Sequence, residues 1–187
     1  MQREFAARWS ADQSVRTDAN LARICPPSAR AGGVFDEGCA LRTALYIDQD
    51  NTARAREVLA AGRWPGWTGS AARGLWLAVQ HSRTETGAYD TPFMMASLPA
   101  LRQAVTEGSL DAQDYARTAD RALLDAGERQ KYATIRLCRG AVFDMSTTYP
   151  AEVVEANRRD LGMEITFALA QPYMDGLCRR DSEGPAK

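Results

Sequence analysis

The chain is short of the groups from which most recognisable active sites are built. It has one histidine, His81, in 187 residues, so a metal site resting on several imidazoles is excluded. Its four cysteines, Cys25, Cys39, Cys138 and Cys178, show no C-x-x-C pairing, which removes the usual zinc-site spacing. There is no G-x-S-x-G, and Cys138 is followed by Arg139 with no histidine close in sequence, so neither an activated serine nor an activated cysteine is signalled. No apolar run approaches the ~18 residues that span a bilayer. Lysine is scarce, and 23 basic against 24 acidic residues leave a net charge of −1. A nucleic-acid or anionic-membrane surface needs a net basic face, so neither is expected. No cofactor and no metal is implied, because a metal would rest on a single histidine plus carboxylates without supporting spacing.

What is present is ordinary globular material. The hydrophobic share of 45% and charged share of 25% suit one core large enough to bury roughly two-thirds of the unfolded surface. The chain is organised around Gly74-Leu75-Trp76-Leu77-Ala78-Val79-Gln80-His81. From Ala71 to Val79 nearly every residue is apolar or small, and a helix apolar all round is a buried one. Gln80 and His81 end it, and burying an amide and an imidazole requires hydrogen-bond partners.

The remaining segments read mostly as helices. Phe5, Trp9, Leu21 and Ile24 suggest a short helix and a packed arm, and residues 25–38 a loop. Helical spacing runs from Leu41 to Leu59 with Gly62 as its stop. Asp48 and Asn51 interrupt that stripe on nearly one face, though Asn51 is rather read as the N-cap of a second helix starting at Thr52. Trp64 and Trp67 flank a Pro-Gly turn and either wedge it against the core or stack on a ligand. Thr91-Pro92 opens a helix bent at Pro99 and stopped at Gly108. Residues 109–126 form another, with Asp120 and Arg121 beside its apolar face. Residues around Arg139-Gly140 fit a small β-hairpin. A helix follows Tyr149-Pro150 with Arg158 and Arg159 near its seam, and a last one runs from Ile165 to Leu177. The expected fold is mostly α, a single-domain bundle of six or seven helices around the buried central helix. The expected divisions are an N-terminal arm and loop over 1–38, a helical domain over 39–178 and a flexible tail over 179–187.

The cysteines allow two readings: four reduced thiols in a cytosolic protein, or an exported protein with Cys25–Cys39 and Cys138–Cys178 bonded. Pro26-Pro27 and Gly32-Gly33 make the first loop irregular, the kind that a disulfide constrains, which favours a periplasmic or secreted location. The N-terminus carries no secretory signal, as a mature form stripped of its leader also would not.

Several separated fragments resemble a bacterial family of unknown function. Its members carry an Asp…Asn helix, a Gly-Trp-Pro turn, W-x-x-x-Q-H, an Asp-Arg pair, Q-x-Y-G-T-Q and a late Arg-Arg pair. The corresponding residues here are Asp48/Asn51, Arg63-Trp64-Pro65, Trp76…Gln80-His81, Asp120-Arg121, Gln130 through Ile135, and Arg158-Arg159. The sequence departs from the pattern at Ala133, where the family has Gly, and at Ile135, where it has Gln. The resemblance brings a set of polar positions and no reaction.

Two functional expectations follow. The first is an exported binding module acting on a protein partner in an inhibitor- or immunity-like way, or holding a small anionic ligand, with a polar pocket around His81. The second is a hydrolase or transferase with His81 as general base and Asp120 orienting it. In both, Gln80, Arg121, Tyr132, Arg158, Arg159, Asp48, Asn51 and Trp64 supply binding groups. Against each stands a plain structural role: a hydrogen-bonded core histidine, and arginine pairs that staple helix to helix.

Overall fold

Helical spacing in the sequence becomes eight α-helices and one two-stranded sheet among the described residues of this computed structural model, which are 1–25, 27, 35–62, 64 and 66–183, with the side chain of 183 excluded. The helices are α1 (Gln2–Ser14), α2 (Asp18–Ile24), α3 (Glu37–Ala60), α4 (Gly69–Gln80), α5 (Thr91–Thr106), α6 (Ala112–Asp125), α7 (Ala151–Leu161) and α8 (Phe167–Glu183). The fold is mostly α, as expected. Short α2 is the helix that sequence spacing did not resolve. Pro26, Gly32-Gly33, Arg63 and Pro65, which figured in the sequence reading, lie outside the described residues.

Local chemistry explains the boundaries. Asp36, Asp90 and Asp111 each turn a carboxylate onto a backbone N–H at the start of α3, α5 and α6, satisfying donors that the first helical turn leaves open. The cap of α5 is thus Asp90, one residue before the Thr91-Pro92 pair that opens the helix. Asn51 is not a cap: α3 runs unbroken through it for 24 residues, and its side-chain oxygen is taken by Arg8 Nη1 at 2.9 Å. Gly162 closes α7 in the left-handed conformation, where glycine carries no Cβ penalty. The expected hairpin is present as β1 (Cys138–Arg139) and antiparallel β2 (Val142–Phe143), with Cys138 opposite Phe143 and Gly140 in the turn at φ +61.

The chain divides into two compact units, residues 1–110 and 111–187. In the first, α4 is the buried element: every residue from Gly74 to Gln80 is buried. The segment expected as an arm is instead part of this core, since α1 lies directly on α4. A Cβ at Gly74 would sit 2.0 Å from the backbone oxygen of Phe5, so the two helices approach backbone to backbone there. Phe5 itself is fully buried and its ring lies 5.4 Å from that of Trp67. In the second unit, Ala133, Phe143, Val154, Phe167, Met174 and Cys178 form the core. Here α8 extends to Glu183, past the boundary at 178 where a tail was expected.

Both expected disulfides are formed: Cys25–Cys39 ties the end of α2 to the first turn of α3, and Cys138–Cys178 ties β1 to α8. No described helix is long and apolar enough to cross a membrane.

Candidate functional site

In the first unit, three helices bring their polar residues to one point. His81 is the C-cap of α4, Asp12 lies on α1 and Asp48 on α3. Asp12 and Asp48 are almost wholly buried, whereas the His81 side chain keeps 24% of its surface. The link between them is Arg16, four residues after Asp12 and just past the end of α1. Its Nη2 donates to Asp12 Oδ1 at 2.7 Å and to Asp48 Oδ1 at 2.7 Å, while its Nε donates to Asp12 Oδ2 at 3.1 Å. Arg83 approaches Asp48 Oδ2 at 3.8 Å and lies over the Tyr89 ring. Two buried carboxylates therefore face two guanidinium groups.

The histidine ring is held through Nδ1, which lies 3.1 Å from Asp12 Oδ1 and 2.9 Å from Arg16 Nη2. Hydrogen counting assigns the tautomer. Nη2 carries two hydrogens, and its two carboxylate contacts are both shorter than its contact to the imidazole. With those hydrogens on Asp12 and Asp48, the hydrogen on Nδ1 points to Asp12. The lone pair then sits on Nε2, which makes no hydrogen bond among the described residues. Arg16 Nη1 is likewise uncommitted there. A base nitrogen and a cationic donor thus remain on two partly exposed side chains that join a buried network.

The electrostatics of the two carboxylates differ in sign. Burial alone would push Asp12 up, but hydrogen bonds from His81 and Arg16 outweigh it and hold the carboxyl far below its ordinary value. Asp12 is therefore firmly ionised, as the orienting partner of an imidazole must be. For Asp48 burial prevails over the attraction of Arg16 and His81, and its pKa is raised. Arg16 is raised, since its two carboxylates overcome its own burial. The ligand-type atoms of Asp12, Asp48 and His81 lie within 4.8 Å of one another, close enough to hold a metal ion. Arg16 Nη2 touches all three residues, so a side-chain cation already answers the two negative charges.

Other residues singled out in this unit are buried in it. Gln80 is buried at the end of α4, and Asn51 binds Arg8. Trp64 is buried, in keeping with a wedge.

In the second unit, Asp120, Tyr132 and Arg158 are brought together as a scaffold for one loop. Asp120 is fully buried. Its Oδ1 accepts the N–H groups of Lys131 (2.7 Å) and Tyr132 (3.0 Å), and its Oδ2 the N–H and Oγ1–H of Thr134 (2.8 Å each). Burial nonetheless keeps its pKa above the ordinary value. Gln130 binds both backbone groups of Ile135, accepting at 2.8 Å and donating at 2.9 Å. Arg158 closes the loop from α7, with Nη1 on the Tyr132 carbonyl (2.7 Å) and Nε and Nη2 on the Ile165 carbonyl (3.0 and 2.7 Å). Arg121 is half-buried on α6 and Arg159 is exposed on α7. Ala133 takes φ +52 inside this loop, the left-handed region where glycine is the unstrained residue.

The carboxylate on His81 is therefore Asp12, and sequence reading singled out neither Asp12 nor Arg16. The available signal was their i, i+4 spacing, which marks any acid–base pair on a helical surface. No curated protein and no solved structure matches the chain. A family model does match it, over residues 1–166, and the chain belongs to that family, described as a family of unknown function (DUF6624).

Proposed function

We propose that this is an exported protein in which His81 acts as general base in a hydrolysis or group transfer on an anionic substrate. The observation that carries the reading is the Asp12–His81 contact, which turns Nε2 away from the buried network with its lone pair unused. Asp12 orients the ring and answers the charge that forms when Nε2 takes a proton. Arg16 Nη1 supplies the cationic donor for the substrate, the role that sequence reading gave to Arg121 and Arg158. Two disulfides support an exported setting, because such bonds persist in oxidising compartments. Thiol titration of the denatured protein from its native host gives zero free thiols on this reading, and four would overturn it.

The enzymatic test is a screen of phosphate and carboxylate esters and amides with the wild type, His81→Ala and His81→Gln. A positioned general base contributes about 10²–10⁴-fold. Turnover lost by that factor in both variants, with the fold intact by circular dichroism, supports the reading; turnover that persists in them removes it.

A second reading is a binding module for a protein partner. It rests on Ile24, Leu41 and Tyr46, large apolar side chains left exposed on α2 and α3. Partner capture that survives His81→Gln but fails in Leu41→Asp and Tyr46→Asp would favour it.

A further inference from the structure

The second unit contains a cavity of about 660 Å3 bounded by the start of α6, the 133–136 loop, the end of α7 and one face of α8. That volume is within the ~300–1,000 Å3 of small-molecule sites. Its α8 wall carries Leu169 and Tyr173, one helical turn apart, and Ile165 precedes them by the same step. These three are 69%, 68% and 57% exposed. Leu169 and Tyr173, at i and i+4, share one face of α8, and with Ile165, just before the helix, they line the cavity.

At the inner end is Arg158, only 3% exposed. A guanidinium has five N–H donors, and three go to the carbonyls of Tyr132 and Ile165, leaving one hydrogen on Nη1 and one on Nη2. No carboxylate lies within 4.0 Å of it among the described residues. A buried charge of this kind is costly unless it is answered by an opposite one. Glu155 and Asp120 attract it from beyond that distance, but its burial outweighs them, and the charged groups on the walls do not answer it: Asp111 is turned to cap α6, Glu164 is exposed, and Arg136 pairs with Asp181 at 3.2 Å. Arg117 adds a further positive charge at the rim.

We propose that this cavity binds a small amphiphile with a single carboxylate, its head on Arg158 and its hydrocarbon tail along Ile165, Leu169 and Tyr173. The site is separate from His81 and stands or falls independently of the reaction proposed there.

The test is isothermal titration of the full chain with decanoate, decanol, decyltrimethylammonium and citrate, each below its micelle concentration. Decanoate should bind at least tenfold more tightly than the other three. Leu169→Glu, at an exposed position where folding is insensitive, should weaken decanoate at least tenfold without moving the thermal midpoint. Equal affinity for decanoate and decanol, equal affinity for citrate, or a Leu169→Glu variant that binds as the wild type does would each overturn the proposal.

Discussion

Asp12 and Asp48 offer a matched pair of perturbations, because both are buried carboxylates on Arg16 and yet their ionised forms stand in opposite regard. Asp12 accepts from Arg16 Nε, Arg16 Nη2, His81 Nδ1 and Gln13 Nε2 at 2.7–3.1 Å. Asn at this position keeps the shape but replaces one oxygen with a donor, so at least one of the two forks is broken. Charge-assisted hydrogen bonds are worth about 1.5–3 kcal/mol each, and breaking a fully buried ion pair about 3–5 kcal/mol. The Arg16 side chain is 34% exposed and can turn to water, which reduces the cost of Asp12→Asn to about 2–3 kcal/mol. At this chain length the midpoint falls by about 5–10 °C. Asp48→Asn costs about 1 kcal/mol or less, since burial already opposes its charge.

The pH dependence separates the two further. A carboxyl lowered on folding contributes stability that is present above its ordinary value of 3.8 and is lost as pH falls through the folded value. The gap between wild type and Asp12→Asn should therefore close in acid. A raised carboxyl does the reverse: wild type loses stability as pH rises from 3.8 through the folded value of Asp48, so it stands lower against Asp48→Asn at pH 7 than at pH 3. Urea denaturation of the three proteins at pH 3, 5 and 7 reads both effects. Equal losses at pH 7, or a larger loss for Asp48→Asn, would refute the assignment of Asp12 as the ionised partner of His81.

With a single histidine, long-range ¹⁵N correlation spectra contain one imidazole spin system; the neutral ring should be the Nδ1–H tautomer, and the Nε2–H tautomer would remove the general-base reading. Ala133→Gly should be within about 0.5 kcal/mol of neutral, because relief of about 1–2 kcal/mol of left-handed strain offsets one lost buried methyl group and added chain entropy. Ala116→Gly, equally buried but in the interior of α6, should cost about 1–2 kcal/mol, and similar costs by urea denaturation would contradict the strain at Ala133. Gly74→Ala should destabilise by about 3 kcal/mol or more, and in any folded fraction the His81 ¹⁵N shifts should move, because the inserted Cβ forces α1 away from α4; a variant as stable as wild type would show the close approach to be wrong.

The helices were legible because their signals are local. Apolar spacing and Gly stops lie within a few residues of the boundaries they set, and the Arg139-Gly140 turn announced its hairpin in the same way. Short α2 went unseen because seven residues hold too few turns to display a period. The site was legible only in part, for a different reason. His81 could be named from its place at the end of an apolar helix, and Asp48 from its break in an apolar stripe. Asp12 and Arg16 could not, since an acid–base pair at i, i+4 on a polar helix is the pattern of a solvated surface. Asp12 is buried on a helix that approaches α4 backbone to backbone at Gly74, a glycine that in sequence merely interrupts a hydrophobic run. The motif fragments around Asp120, Gln130 and Arg158 misled in the opposite direction. Their polarity suggested a ligand site, but most of it is spent on backbone N–H and C=O groups of a loop that makes few hydrogen bonds of its own. Polar residues that stitch a loop and polar residues that meet a substrate look alike in one dimension. They differ in whether donors or acceptors remain once the backbone is satisfied, and His81 Nε2, Arg16 Nη1 and two hydrogens of Arg158 are among the groups left over, beside the buried Trp64 Nε1, Ser82 Oγ and Arg83 Nε.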